Sequence, residues 1–286
     1  MKQFLGKQVH LPFVGPVTLW LIMFVGGPLV LIVYFSVLTP GPLGTILRTP
    51  TLENYLFLLR GAVGRVLLRT LLFASGTNMI CLLIGYPLAY WIVKYGGRWK
   101  TTLLLLIVIP SWTAYLIRIY SIKSILGYNG FLNQALLSLG LISSPLELLY
   151  SVPAVMSGLV YTWLPFMVLP VYAALDGLDP SLLEASEDLG ASPLQRFTTV
   201  TLPLTKGGII AGTILVFIPA LGDWIVPLLL GGGKVLMAGS YVQMYFVGAA
   251  NIPRGSSLAT ALTAVVLLML YLGIKFGGEE ALERII

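Results

Sequence analysis

Apolar residues come in long uninterrupted blocks along this chain rather than at strand or surface-helix spacing. No Asp, Glu, Lys or Arg occurs from Leu11 to Leu47, Thr70 to Val93, Thr101 to Ile117, Leu148 to Leu175, Gly207 to Gly222 or Ser256 to Ile274. A mainly apolar run of about 18 residues or more crosses a hydrocarbon core ~30 Å thick as a helix. Six spans follow. The first is Val14–Val37, stopped by the breaker Pro40-Gly41-Pro42-Leu43-Gly44. The others are Arg69–Val93, Thr101–Tyr120, Pro153–Leu175, Gly208–Leu230 and Leu258–Phe276. Two more uncharged stretches are too broken to span. Ser124–Leu146 carries Gly127, Asn129, Asn133 and Ser143-Ser144-Pro145; Val235–Pro253 carries Gly239, Gln243, Gly248 and Asn251. Both are expected as helices packed at the membrane surface. The fold class expected is all-α, a polytopic membrane protein with about six transmembrane helices. Its segments are an N-terminal helix with its loop (1–65), a five-helix core (66–276) and a tail (277–286).

Composition narrows the function. Charged residues are 10% of the chain and apolar ones 57%, against about a quarter charged in soluble domains. Too few polar groups remain to cover a soluble surface, which excludes a secreted domain, a disulfide scaffold and a soluble enzyme. The net charge of +6 comes from scattered Lys and Arg, not from a basic stripe interleaved with aromatics, so nucleic acid is not a partner. Cys81 is the one cysteine and reads as a small buried apolar residue; His10 is the one histidine. An intrachain disulfide, a histidine metal site and a Ser-His-Asp triad are therefore excluded. Lys2 and Lys7 precede an apolar stretch too long for a signal peptide, so a retained first span is expected. Basic residues divide almost evenly between alternate loops, so composition leaves the orientation open.

The acidic residues are concentrated. Five of the 11 lie between Asp176 and Asp188, in the polar loop Asp176–Lys206. Pro180 suits a first helical turn, and Ser181-Leu182-Leu183-Glu184 matches a capping box. Leu182, Leu183, Ser186 and Leu189 follow at helical spacing, with Glu187 and Asp188 opposite, and Gly190 suits a left-handed end. Ser192-Pro193 starts a second short helix through Phe197 to Val200, stopped by Pro203. Leu182, Leu183 and Leu189 are thereby presented outside the bilayer, where apolar groups call for a protein partner. An amphipathic loop resting on its own membrane is the competing reading.

Glu184-Ala185-Ser186, three residues, Gly190, nine residues and Val200-Thr201-Leu202-Pro203 resemble the E-A-A-x3-G-x9-I-x-L-P motif. That motif marks permease subunits of binding-protein-dependent ABC importers. Ser186 for the second Ala and Val200 for Ile are the departures. Asn54-Tyr55, Gly85-Tyr86-Pro87-Leu88-Ala89, Arg118-Ile119-Tyr120, Leu164–Pro170 and Pro203–Gly212 are similar to spermidine/putrescine-type permeases. The resemblance spans nearly the whole chain and implies a type I ABC importer permease fold in a bacterial inner membrane. It implies that Leu182, Leu183, Glu184, Ala185, Ser186, Asp188, Gly190 and Pro203 belong to a cytoplasmic coupling loop docked on an ABC ATPase. Both termini would then be cytoplasmic. It also implies a second permease subunit, an extracytoplasmic solute-binding protein and no cofactor in this chain, ATP and Mg being bound by the ATPase. Other small solutes on the same scaffold (thiamine-like, ferric ion, opine or amino-acid-like) are the alternatives, followed by a self-contained secondary transporter.

Within the spans, Asp223 stands out in Gly222-Asp223-Trp224-Ile225-Val226-Pro227. A carboxylate at a helix centre costs ~2.5–3.5 kcal/mol on insertion scales. Pro219 and Pro227 remove backbone donors on either side, so this helix is expected to kink or break. Asp223 reads either as a cation-binding or gating carboxylate, or as a residue that sits near the outer interface or pairs with a basic residue of another helix. Trp112, Tyr115, Tyr161, Trp163 and Trp224 offer faces to an ammonium, although such aromatics also populate interfacial belts. Gly231-Gly232-Gly233-Lys234 lacks the upstream glycine and the Ser/Thr of a phosphate loop and is expected as a flexible loop. Gly208/Gly212 and Gly273/Gly277 are expected at close helix contacts.

Overall fold

A computed structural model describes residues 15–277. Val14, His10, Lys2, Lys7, Arg284 and the tail after Gly277 lie outside the described residues. The chain opens with helix α1 (Gly15–Ser36). A hairpin of β1 (Leu38–Pro40) and β2 (Ile46–Pro50) follows, then α2 (Glu53–Leu59) and the 35-residue α3 (Gly61–Tyr95). Next come α4 (Lys100–Val108), α5 (Tyr115–Leu126), α6 (Phe131–Ser138) and α7 (Val152–Asp176). The polar loop holds α8 (Pro180–Asp188) and α9 (Pro193–Leu204). After it come α10 (Lys206–Gly222), α11 (Ile225–Gly231), α12 (Ala238–Gln243) and α13 (Ile252–Gly277). By length and apolarity α1, α3, α7 and α13 can each cross a membrane, and two bent pairs bring the number to as many as six.

The chain forms two compact units, Met1–Gly64 with Tyr241–Thr263, and Arg65–Ser240 with Ala264–Ile286. Residues Tyr241–Thr263, expected within the 66–276 core, group with the N-terminal segment. In the first unit, Asn54 holds the end of α1. Its amide donates to the carbonyls of Ser36 and Leu38 at 2.9 and 2.8 Å, and Tyr55 hydroxyl lies 2.6 Å from Ser36 Oγ. The hairpin is antiparallel with Thr39 opposite Leu47 and Pro40 opposite Ile46. It is the small exception to an otherwise helical chain. Its signal was weak, because the strands are three and five residues long and contain proline.

In the second unit α10 lies along α7, its main neighbour. Glycine makes this contact possible. A β-carbon on Gly208 would sit 2.5 Å from Ala174 Cβ and 2.6 Å from Pro170 O, and one on Gly212 2.7 Å from Met167 Sδ. Small residues at such crossings let backbones approach closely, as the Gly208/Gly212 spacing suggested. Cys81 is buried, its thiol 3.8 Å from Val160 carbonyl.

Two expected spans are not single helices. Thr101–Tyr120 divides into α4 and α5 at Thr113-Ala114, with a bend of 94° between the two halves. Pro110 supplies no N–H, the helix tightens to a 3-10 turn over Ile109–Trp112, and Thr113 Oγ1 takes the Pro110 carbonyl at 2.8 Å. Beyond it, Ser124–Leu146 is α5, α6 and an irregular return rather than one surface helix. Asn133, fully buried, organises that return: its amide reaches the carbonyls of Gly127, Tyr128 and Leu146, and its Oδ1 accepts Leu146 N–H at 2.9 Å. The start of Val235–Pro253 is packed into the protein. Val235, Met237, Ala238 and Ser240 are buried. Arg69 donates to the Leu236 carbonyl, and Thr70 Oγ1 accepts Ala238 N–H at 2.7 Å.

The second broken span is Gly208–Leu230, interrupted at Asp223-Trp224 as expected. Its short continuation α11 is packed against α7 and α5. Gly232 ends α11 at φ 53°, and Tyr150, at φ 57°, donates its N–H to the Leu230 carbonyl at 2.8 Å. A β-carbon on Gly232 would lie 2.1 Å from the Tyr150 ring, whereas one on Gly233 (φ 80°) meets open space. This packed cap replaces the flexible loop expected for the glycine run. Gly233→Ala is expected to cost only the left-handed strain, ~1–2 kcal/mol. Gly232→Ala should cost that strain plus the clash and lower the melting temperature of the purified protein markedly more. Thermal unfolding of both variants in detergent checks the order.

Candidate functional site

The polar loop is built from three local devices. Asp179, not Ser181, caps α8: its carboxylate accepts Ser181 N–H at 2.9 Å, with Pro180 in the first turn. That bond holds the Asp179 carboxyl below its ordinary pKa. The cap is therefore complete at neutral pH and is lost as pH falls through the depressed value. The expected box at Ser181/Glu184 does not form. A complete one stands at Ser192, which accepts Gln195 N–H at 3.3 Å while Gln195 Oε1 accepts Ser192 N–H at 2.9 Å. Gly190 closes α8 at φ 79° with open space around it, the left-handed turn its position called for.

Pro203 does not stop the second short helix. A π turn over Phe197–Thr201 precedes it and the helix runs on to Leu204. The wider turn shifts the bonding partners just where Pro203 would leave a carbonyl unpaired. The break falls instead at Thr205, with a 63° bend to α10. Thr205 Oγ1 donates to Thr201 carbonyl at 2.8 Å and lies 2.9 Å from Tyr86 hydroxyl.

Exposure on the loop differs from the helical-spacing expectation in one place. Leu189 is 88% exposed, Leu194 72% and Leu182 46%. Glu184, Ala185 and Asp188 are exposed beside them, and Ser186, half-buried, donates to the Leu183 carbonyl at 2.7 Å. Leu183 is half-buried instead and lines, with Leu178 and Pro180, a cleft of about 450 Å³ between α8 and the ends of α3 and α7. Leu194 takes its place on the outer face. Its signal was present in the sequence, one residue after the Ser192-Pro193 helix start. Two ion pairs flank the cleft, Lys100 with Asp176 at 2.6 Å and Arg196 with Glu187.

The second constellation lies at the break between α10 and α11. Asp223 is 7% exposed. Its Oδ1 accepts Ile225 and Val226 N–H at 3.0 and 3.2 Å, and its Oδ2 accepts Tyr115 hydroxyl at 2.5 Å. The carboxylate thus caps the start of α11. Asp223 has no basic partner among the described residues. Tyr115, Trp163, Asp223 and Trp224 share a shallow cleft of about 200 Å³ with Pro219 and Gly222. The ring centres of Tyr115 and Trp163 are 6.4 Å apart, and Arg118 covers Tyr115 at 5.8 Å. The buried indole N–H of Trp163 is directed at Asp223 without forming a hydrogen bond of good geometry. Trp112 and Tyr161 are exposed and stand outside this cleft. Gly239 closes against the break: a β-carbon there would lie 2.4 Å from Gly222 O. No cluster of metal-ligating side chains occurs among the described residues.

Residues 16–275 match the family model described as the binding-protein-dependent transport system inner membrane component. The chain belongs to this family. It is a multi-pass inner-membrane transport component, and the family is one of permeases rather than enzymes. The chain is 43% identical over 265 residues to the spermidine/putrescine transport system permease protein PotB of Haemophilus influenzae, covering 93% of this chain and 92% of that protein. It is 42% identical over 251 residues to the protein of the same name from Escherichia coli, covering 88% and 91%. In fold it is similar to a bacterial ABC transporter involved in import of the acidic polysaccharide alginate. The TM-score is 0.78 at 16% identity, over 96% of this chain and 97% of that one. The fold is therefore that of type I ABC importer permeases.

The three hydrogen bonds to Asp223 set an order of severity. Asp223→Ala removes every acceptor and leaves two buried N–H groups unpaired, for a loss of ~2 kcal/mol or more. Asp223→Asn keeps Oδ1 and should lose less; Tyr115→Phe should lose least. Thermal unfolding of the three purified variants reads the order.

Proposed function

We propose that this chain is one permease subunit of an ABC importer for polyamines, spermidine or putrescine. The carrying observation is its identity of 42–43%, nearly end to end, to two proteins named as permeases of spermidine/putrescine transport systems. In this reading the Asp176–Lys206 loop is cytoplasmic, as are both termini. Leu182, Leu189 and Leu194, with Glu184, Ala185, Ser186 and Asp188, meet an ABC ATPase, which binds ATP and Mg. A second permease subunit completes the pathway, and an extracytoplasmic solute-binding protein delivers the substrate. No bond in the substrate changes.

The cleft at Asp223 suits an ammonium passing through it. An isolated charge in hydrocarbon is prohibitively costly, so the pathway must offer acceptors or aromatic faces. An ionised carboxylate has about four acceptor sites. Three are used by Tyr115, Ile225 and Val226, and a cation shares what remains with the indole N–H of Trp163. Arg118 already occupies Tyr115, so the ring attraction falls to Trp163 and Trp224.

Uptake by the assembled importer tests the substrate. Labelled spermidine or putrescine should be transported, and unlabelled polyamine should compete where thiamine, ferric ion and opines do not. Transport of one of those solutes in place of polyamine would overturn the reading. A second variant tests the loop. Gly190→Asp puts a β-carbon at φ 79° and a charge on the docking face. It should insert normally yet reduce substrate-stimulated ATP hydrolysis at least tenfold, an effect measured on the purified complex.

A further inference from the structure

The turn between α3 and α4 has no part in the reading above, yet its side chains form a distinct pattern. Trp91, Tyr95 and Trp99 recur every fourth residue and all are exposed. Lys94 and Arg98 stand between them, and Lys100 directly follows Trp99. Lys94 Nζ lies over the rings of Tyr90 and Tyr95 at 5.7 and 5.3 Å, and Arg98 over Trp99 at 5.4 Å. Lys100 is neutralised by Asp176, and Arg196 by Glu187. Lys94 and Arg98 have no carboxylate partner among the described residues. Lys94 stands at the edge of the 450 Å³ cleft behind α8, whose other walls include Val93, Leu175, Leu178 and Leu183.

We propose that this turn and cleft bind the headgroup of an anionic phospholipid. Three features select that ligand. The turn directly follows the charge-free stretch Thr70–Val93 of α3, which places it at headgroup depth, where tryptophan and tyrosine concentrate. Two cationic heads are left without a carboxylate, Lys94 in the cleft and Arg98 on the adjoining turn, while the cleft's own Asp176 and Glu187 are already paired. The apolar walls beside Lys94 suit the glycerol and first methylenes of a lipid, and a free phosphate has no use for them. Basic pockets between spans on the cytoplasmic side bind anionic headgroups through this combination. Because Leu183 and Glu187 of α8 form part of the cleft, a bound headgroup braces the coupling loop against the ends of α3 and α7. Substrate-stimulated ATP hydrolysis then rises with anionic lipid. The cytoplasmic placement of the turn and this last step rest on the importer reading; its aromatic, cationic and apolar pattern does not.

The experiment uses the whole importer in nanodiscs of phosphatidylcholine, alone or mixed with phosphatidylglycerol. Native mass spectrometry measures the phosphatidylglycerol retained. The double variant Lys94→Gln, Arg98→Gln should retain roughly tenfold less than the unmodified complex, each basic contact near a membrane surface being worth a similar modest factor. Phosphatidylcholine and subunit composition should not change. Equal phosphatidylglycerol retention overturns the site. Displacement of the lipid by millimolar inorganic phosphate shows a plain anion site and overturns it too. Loss of the ATPase subunit from the variant assigns these cations to protein carboxylates instead, again overturning it. Reduced retention with unchanged lipid dependence of ATP hydrolysis upholds the site and removes its link to α8.

Discussion

A broken helix inside a membrane exposes backbone N–H and C=O groups that no water reaches, and each must find a partner within the protein. That requirement governs this chain wherever its helices stop short. At the start of α11 Asp223 takes two N–H groups; at its end the Tyr150 N–H takes the Leu230 carbonyl. Asn133 serves two carbonyls in the turn before α6 and the carbonyl and N–H of Leu146 in the return after it, and Asn54 serves two carbonyls at the end of α1. Thr70 and Arg69 do the same for the Leu236–Ala238 segment. Several of the buried polar side chains thus serve places where regular helix ends.

This changes how Asp223 is understood. A lone carboxylate among apolar residues suggests a binding group, but this one is also a structural cap, held by Tyr115. The two roles are compatible because a carboxylate has more acceptor sites than the cap uses. They also imply that binding and architecture are coupled there. A cation reaching Asp223 touches the group that fixes the start of α11, and through α11 the packing on α5 and α7.

Much was legible in the sequence. Charge-free blocks located α1, α3, α7 and α13 within a few residues at most ends, since nothing but helix satisfies a backbone in hydrocarbon. Pro219 and Pro227 announced the break near Asp223, and Gly190 its left-handed turn. The misses share one physical origin. Hydropathy reads composition, and composition does not record direction. Thr101–Tyr120 is apolar throughout, yet Pro110 and the Thr113 hydroxyl turn it through 94°. Val235–Pro253 is broken enough by Gly239, Gln243, Gly248 and Asn251 to suggest a surface, yet its first residues are buried where Arg69 and Thr70, distant in sequence, receive them. Leu183 and Leu194 exchanged places because helical spacing defines a face but not which neighbour that face meets.

The π turn at Phe197–Thr201 carries a consequence of its own. Each residue of an α-helix advances the side chains by about 100° around the axis. A turn holding one more residue than the α-helix does therefore acts as a phase setting between α10 and everything upstream. Residue count, rather than residue identity, decides there which way Leu194 and the α8 helix point. A single deletion within 197–201 would leave every docking side chain chemically intact and aim all of them in the wrong direction.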